Sequence, residues 1–381
     1  MVVSTKIPSI TLSKGYMISL NTPYLHGNEK AYLNDVIDSG WLARGPYNER
    51  FEQTFAQFSH VSYGLSVTSG TVAVQVLLMA AGMQGKKVAV PAYTCMSVAQ
   101  AVVHAGCIPV FVDIEPDTLG MDIESVKRMY TQERFAAVLL NHLYGFIARD
   151  TQKIQEFCKE KHIQLLEDAS EAHGAENSQG IAGSFGRGAA FSMRSEKMMG
   201  VGEGGMVITN DKTLWDQAYY WINDARPSNS IRYYTTGEGW NFFMPNALGA
   251  IGLAQVEQLP EILKRKRAIG RWYEGFFQRH PQLHPQKRSL GDQPVYWLNV
   301  AVMDDSMPII REDLLVWMKE QGIEMRPGFY PLHVLPSYRK YPSDQTPVSQ
   351  RVGQRLLAFP SATDLGEDSL TYIEQCWNTI I

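Results

Sequence analysis

Lys197 and Asp168 are the residues whose types and surroundings could do chemistry. Asp168 closes the apolar run IQLLEDA, within EDASEAHGA (167–175), and Lys197 sits in FSMRSEKMMGVGEGGMVITND (191–211), a glycine-punctuated turn ahead of the strand-like GMVIT. A strand-end carboxylate and a turn lysine together fit the needs of pyridoxal phosphate (PLP). That cofactor takes an amine to form a Schiff base, and a carboxylate to keep its pyridine nitrogen protonated as an electron sink. Taken alone, a lysine is nearly always a solvated surface residue; this one coincides with a carboxylate that, if buried, must find a partner. Once displaced by an amino donor, the lysine would take a proton from the donor's Cα and return it elsewhere. A nearby cofactor cation and partial desolvation favour the neutral amine that this role needs. The expected activity is that of a PLP-dependent aminotransferase, with Lys197 and Asp168 as catalytic residues.

Other residues could hold the cofactor. In SVTSGTVAV (66–74) a strand runs into a helix, and Ser69, Gly70 and Thr71 would present hydroxyls and backbone amides to a phosphate at the helix N-terminus. The same three residues are equally an ordinary N-cap. Ser192, five residues before Lys197, could donate to the same phosphate. Tyr93, in PAYTCMS, follows a strand end and could stack on a flat heteroaromatic ring, or be a half-buried core tyrosine. Glu171 could approach the cofactor's ring hydroxyl or act as a capping residue, and His173 reads as structural. The run GVGEGG (200–205) is not a dinucleotide fingerprint, because that motif needs a strand before it and a helix after it, whereas here a strand follows. Its glycines are expected to allow a tight turn around the cofactor.

The elements that must position these residues alternate. VAVP (88–91), CIPVFVDI (107–114), AAVLL (136–140) and IQLLEDA (163–169) read as strands, with helices over 71–82, 96–106 and 151–162 between them. That alternation predicts crossover units and a mostly parallel central sheet, an α/β fold with Asp168 at the strand end where open α/β sheets keep their ligands. A helix over 29–40 stops at Gly40. Beyond residue 247 a long helical stretch carries Pro260, which should kink or split it. Strand candidates (295–303), a helix (311–322) and the Pro-rich RPGFYPLHVLPSY follow, a smaller α+β unit. The expected organisation is an N-terminal arm over 1–30, a large cofactor-binding domain over 31–250 and a small C-terminal domain over 251–381.

Composition is that of a globular protein with a sizeable core: 45% of the 381 residues are hydrophobic and 19% charged. A net charge of −4 advertises no face for nucleic acid or membrane, and KRKR (264–267) reads as a solvated helix face. Four cysteines without paired spacing suit a reducing compartment and give no cysteine-based zinc site; no metal is expected. With neither a signal-like N-terminus nor an apolar run of about 20 residues, a cytoplasmic protein is expected.

At this point the motifs EDASEAHGA, FSMRSEKMMGVGEGGMVITND and GWNFFMPNALGAIGLAQ together resemble the DegT/StrS family of sugar-nucleotide aminotransferases, over nearly the whole chain from PYLHGNEK to RPGFYPLH. GEGGMVITND and RPGFYPLH are most similar to the branch that aminates C4 of a nucleotide-linked 4-keto-6-deoxyhexose. The resemblance implies the aspartate aminotransferase fold (fold type I), L-glutamate as amino donor, and a homodimer with active sites at its interface. It also implies that Asn241 reaches the partner subunit's PLP phosphate, and that His142, Arg326, Tyr330 and His333 lie near the sugar substrate. Three departures stand out: Phe243 where the family usually has arginine, FSMRSEK for the usual run before the lysine, and an unlike segment 223–240. Amination at C3 instead of C4 of the same sugar class stays open, and so do two other readings. One is a PLP-dependent dehydratase of keto sugars, disfavoured because its lysine is replaced by histidine. The other is a non-catalytic regulator on the same fold.

Overall fold

The computed structural model describes residues 17–227 and 231–380. Its larger sheet is built from β1 (Tyr63–Val67), β2 (Lys87–Pro91), β3 (Ile108–Val112), β4 (Ala137–Asn141), β5 (Gln164–Asp168), β8 (Gly188–Ser192) and β9 (Gly205–Thr209), in the order β1-β9-β8-β5-β4-β2-β3; a two-stranded hairpin, β6 (Glu176–Asn177) and β7 (Gly180–Ile181), lies apart. The pairs β2/β3, β2/β4, β4/β5 and β5/β8 are parallel, whereas β8/β9 and β1/β9 are antiparallel. Strands β2 to β5 are buried without alternation over at least four of their five residues because helices cover both faces.

Helices α1 (Glu29–Ser39) and α2 (Pro46–Phe58) precede the sheet, and α3 (Gly70–Ala80), α4 (Met96–His104), α5 (Ile123–Glu133), α6 (Thr151–Lys161) and α7 (Lys212–Ile222) alternate with its strands. Helix α1 ends at Gly40, whose φ of 68° is the left-handed C-cap that glycine adopts freely. The long α8 (Asn246–Arg279) then packs on α1 and α2, and its distal end, with Tyr273, Phe276 and Phe277, enters a second core around Phe359 and Trp377. That second core covers an antiparallel sheet of order β10-β11-β13-β12, from β10 (Leu283–Pro285), β11 (Asn299–Met303), β12 (Arg326–Pro327) and β13 (Leu356–Phe359), with α9 (Arg311–Glu320), α10 (Pro347–Arg355) and α11 (Glu367–Trp377) around it.

Two expectations need correction. Pro260 does not split α8, which runs unbroken through it and through the expected domain boundary at 250/251. Burial of Leu259, Ile262 and Leu263 against the first core outweighs one missing backbone hydrogen bond. KRKR is a solvated face only in part: Lys264 and Arg265 are exposed, whereas Lys266 is 1% exposed. Of the expected arm, residues 1–16 lie outside the described residues; Ile18 pairs in parallel with Ile323, and α1 begins at Glu29.

Candidate active site

Parallel register places the site. Asn141 ends β4 directly beside Asp168 at the end of β5. The helices that follow β1 and β2 start at the same sheet edge, where a cavity of about 390 Å³ opens. Ser69, Gly70, Thr71, Asp168, Glu171, Ser192, Lys197 and Arg326 all line it.

Ser69 caps α3, its hydroxyl accepting from the Val72 amide at 3.2 Å, and the amides of Gly70 and Thr71 at the helix start have no intrahelical partner. A side chain at Gly205 would run into the Ser69 carbonyl and the Gly70 amide. The glycine run therefore lets β9 lie directly against the α3 start, besides turning the chain.

Lys197 hangs from a loop closed by Met193 N–H to Gly204 O (2.8 Å) and Ser195 N–H to Gly202 O (2.9 Å). Its Nζ donates to Glu171 Oε1 at 3.0 Å and lies 3.7 Å from the ring centroid of Trp297, a cation–π contact worth about 0.5–2 kcal/mol. Glu171 Oε2 accepts the Tyr144 amide at 2.8 Å. Burial pushes the Glu171 carboxyl above the usual range, and the Lys197 ammonium partly offsets this. Tyr144, with φ of 56°, stacks between Trp297 and Phe329 at interplanar angles of 11° and 4°. A bulky residue held at positive φ stores strain that the surrounding stack and the Glu171 bond maintain.

These residues fit PLP. Asp168 accepts one hydrogen bond at Oδ1, from Ser170 N–H at 3.1 Å, and among the described residues no donor holds Oδ2, which leaves it for a protonated ring nitrogen. Asn141, beside it, donates to Thr94 Oγ1 at 3.1 Å while its own Oδ1 is buried without a partner. A lysine, a carboxylate, an orphaned amide oxygen and a hydroxyl-rich helix start in one cavity match the amine, ring-nitrogen, polar-substituent and phosphate demands of that cofactor.

Five expected residues do not line the cavity. Tyr93 is fully buried beneath it, its hydroxyl bonded to Tyr144 Oη (2.9 Å) and to the Phe329 amide (3.2 Å), so it supports the aromatic stack and leaves no free face for a cofactor ring. His142 is buried too. It accepts the Ala148 amide at Nδ1 (3.2 Å), which assigns the proton to Nε2, facing Glu167 at 3.0 Å. Successive strand residues point to opposite faces, so Asn141 and Asp168 share the cavity side while Glu167 lies on the other, with His142 against it. His333 is half-buried against Thr346 Oγ1 at 2.9 Å. Tyr330 is 67% exposed, and Asn241 is exposed beside its bridge to Asn223. His173 is enclosed by Phe55 and Phe191 with neither ring nitrogen bonded, and burial drives its pKa down to about 3.

Sequence reasoning missed Trp297, Tyr144, Asn141 and Arg194, all lining the cavity. The motif NHLYG held two of them, but only register shows that Asn141, not His142, faces the site. Phe243 bridges Val67, and Arg44, from SGWLARG, lays its guanidinium 5.5 Å from the Phe243 ring centroid while pairing with Glu52 at 2.8 Å. A cation therefore covers this aromatic face from a different segment. Of the unlike segment 223–240, residues 228–230 lie outside the described residues.

Comparison with known proteins bears on the family and the fold. The profile of the DegT/DnrJ/EryC1/StrS aminotransferase family matches residues 23–377. The chain is 36% identical to a protein named GDP-perosamine synthase from Vibrio cholerae, covering 94% of this chain and 98% of that one. It is 34% identical to one of the same name from Escherichia coli O157:H7, covering 93% and 96%. The fold superposes on the Helicobacter pylori aminotransferase PseC with a TM-score of 0.89 at 20% identity, over 96% of this chain and 99% of that one.

Proposed function

The chain belongs to the DegT/DnrJ/EryC1/StrS aminotransferase family, whose members use PLP, and we propose that it moves the amino group of L-glutamate to C4 of a nucleotide-linked 4-keto-6-deoxyhexose. The observation that carries the chemistry is Lys197 Nζ, held 3.0 Å from Glu171 in a cavity that Asp168 also lines. The identity of 36% with a GDP-perosamine synthase along nearly the whole of both chains supports the choice of acceptor.

When bound, PLP supplies the electron sink that lets a bond at the amino-bearing carbon break. In this reading the α3 start, with Ser69 and Ser192, binds the phosphate, and Asp168 Oδ2 holds the proton on the ring nitrogen. Lys197 Nζ would anchor the cofactor and, once freed, would take the proton from glutamate Cα and hand it to the cofactor's amine-bearing carbon, then in the second half take a proton from that carbon and deliver it to the sugar carbon. Glu171 keeps that amine aimed into the cavity between the two events. Arg194 and Arg326 line the cavity with side chains 61% and 55% exposed, suited to meeting a diphosphate as ligand enters. In this reading Tyr330, exposed in the same segment as Arg326 though outside the cavity lining, would meet a part of the sugar substrate that projects from the cavity. Asn241 would act on the cofactor phosphate of a second copy in a homodimer. Among the described residues no helix is long and apolar enough to cross a membrane. In this reading the reaction takes place in the cytoplasm, a reducing compartment of the kind that four cysteines without paired spacing suit.

The test is the visible absorption of protein with PLP, before and after L-glutamate, beside Lys197→Ala. A yellow band that needs Lys197 and bleaches with glutamate is expected, followed by amination at C4 when a GDP-linked 4-keto-6-deoxyhexose is added, read by NMR of the product. A band indifferent to glutamate would remove the proposed donor, and product aminated at C3 would remove the proposed regiochemistry.

A further inference from the structure

Lys266 is fully buried in α8, and nothing in the chemistry above uses it. Its three ammonium protons meet three neutral oxygens: Asn21 Oδ1 at 3.0 Å, the Trp297 carbonyl at 2.9 Å and the Ser361 carbonyl. No carboxylate among the described residues pairs with it. Burial lowers its pKa to about 7, with Asp364 acting in the opposite direction. An unpaired buried cation is costly, and three hydrogen bonds to neutral oxygens offset part of that cost.

What it holds leads to the site. Asn21 Nδ2 donates to the Glu196 carbonyl at 2.5 Å, and Trp297 Nε1 donates to the same oxygen at 2.6 Å. That carbonyl belongs to the peptide bond joining Glu196 to Lys197, so two of the three groups fixed by Lys266 converge on the backbone that presents Lys197. The indole of Trp297 is also the surface on which Lys197 Nζ rests, 3.7 Å from the ring centroid. The N-terminal segment, α8 and the stretch before β11 thus meet at one ammonium and close on one carbonyl.

We propose that Lys266 is a positioning residue for Lys197, acting through Asn21 and Trp297 to fix the Glu196–Lys197 peptide and the ring against which the amine lies. This rests on the reading of Lys197 as the cofactor-binding amine, but its test does not depend on turnover. Removing the ammonium while keeping the stem, as in Lys266→Met, frees both arms. Asn21→Ala cuts one arm from outside the core.

The experiment compares the parent, Lys266→Met, Asn21→Ala and the double variant as cofactor-free full chains. Each is treated with trinitrobenzenesulfonate, and the labelling of Lys197 is read by peptide mass spectrometry against the exposed Lys264 as internal reference. The expected result is Lys197 labelling faster by about threefold or more in each single variant, with the double variant showing less than the product of the two, the non-additivity of residues in one network. The concentration of PLP needed to form the Lys197-dependent band should rise in parallel. Unchanged or slowed Lys197 labelling, or effects that multiply, would overturn the proposal even if thermal stability falls. If Lys266→Met does not fold, Lys266→Gln, a neutral amide that still donates to part of the buried oxygen cluster, replaces it in the same single and double comparison with Asn21→Ala. A parent that labels as expected but forms no band with PLP would count against the proposed function and not against this positioning role.

Discussion

Glu171 shows how one carboxylate can serve two masters at the level of atoms. One oxygen takes the Lys197 ammonium and the other takes the amide of Tyr144, whose backbone is held at positive φ. Its carboxyl is raised by burial above the ordinary value near 4.3. The sign follows: across the window above that value the folded chain keeps a proton that the unfolded chain has released, so this group's contribution to stability falls as pH rises. Glu171→Gln removes the titration. The parent's melting temperature, measured from about pH 4.5 to 7, should therefore fall relative to that of the variant, and parallel curves would contradict the raised value. His142 illustrates the opposite case, an imidazole whose nitrogens are both committed to internal partners and free for no substrate.

Among the elements, the contact between β9 and the start of α3 decides whether the phosphate cup has its shape. Gly205 lies where any Cβ would meet the Ser69 carbonyl and the Gly70 amide, backbone atoms that cannot rotate away. Gly205→Ala should destabilise the chain by about 1–3 kcal/mol through overpacking and weaken PLP capture as well. Urea unfolding with an unchanged m-value and a PLP titration would check both, and a variant as stable and as avid as the parent would show that the contact relaxes freely. Helix α8 makes a related point. Its proline would end an isolated helix, yet cores on both sides of Pro260 keep the element continuous and carry Lys266 to the site.

At the scale of the whole molecule, the cavity in a single chain lacks any contribution from Asn241, which is exposed, and α1 with the turn after it leaves Ile37, Trp41 and Leu42 at 66%, 60% and 55% exposure. Large apolar side chains left exposed close together in the chain point to an interaction surface, and a second copy is the partner predicted here. Complementation tests this. Lys197→Ala and Asn241→Ala chains, each inactive or weak alone, should regain about one quarter of parental activity when refolded together, since about half the dimers would be mixed and each mixed dimer has one intact site. A mixture no more active than its better component would mean that Asn241 does not act across subunits.

The sequence by itself determined what local physics controls: the apolar runs of the parallel strands, the Gly40 cap on α1, the carboxylate at the end of β5 and the lysine in a glycine-rich turn. Periodicity and turn chemistry need only near neighbours, so Ser69, Gly70, Thr71, Asp168, Glu171, Ser192 and Lys197 could be singled out, Arg326 came from the family resemblance, and the structure gathers all of them in one cavity. Tertiary structure decided which side of a strand each residue faces. A shift of one position separates Asn141, beside Asp168 at the sheet edge, from His142, and strand register is set by partners far away in the chain. It also decided Trp297 and Lys266. Neither has a local pattern that marks it, and a basic run reads as a solvated face until the packing of α8 between two cores turns one of its four cations inward. Burial is a property of what surrounds a residue, and for these two the surroundings come from segments more than thirty residues away (Lys266 to Asn21, Ser361 and Trp297; Trp297 to Glu196).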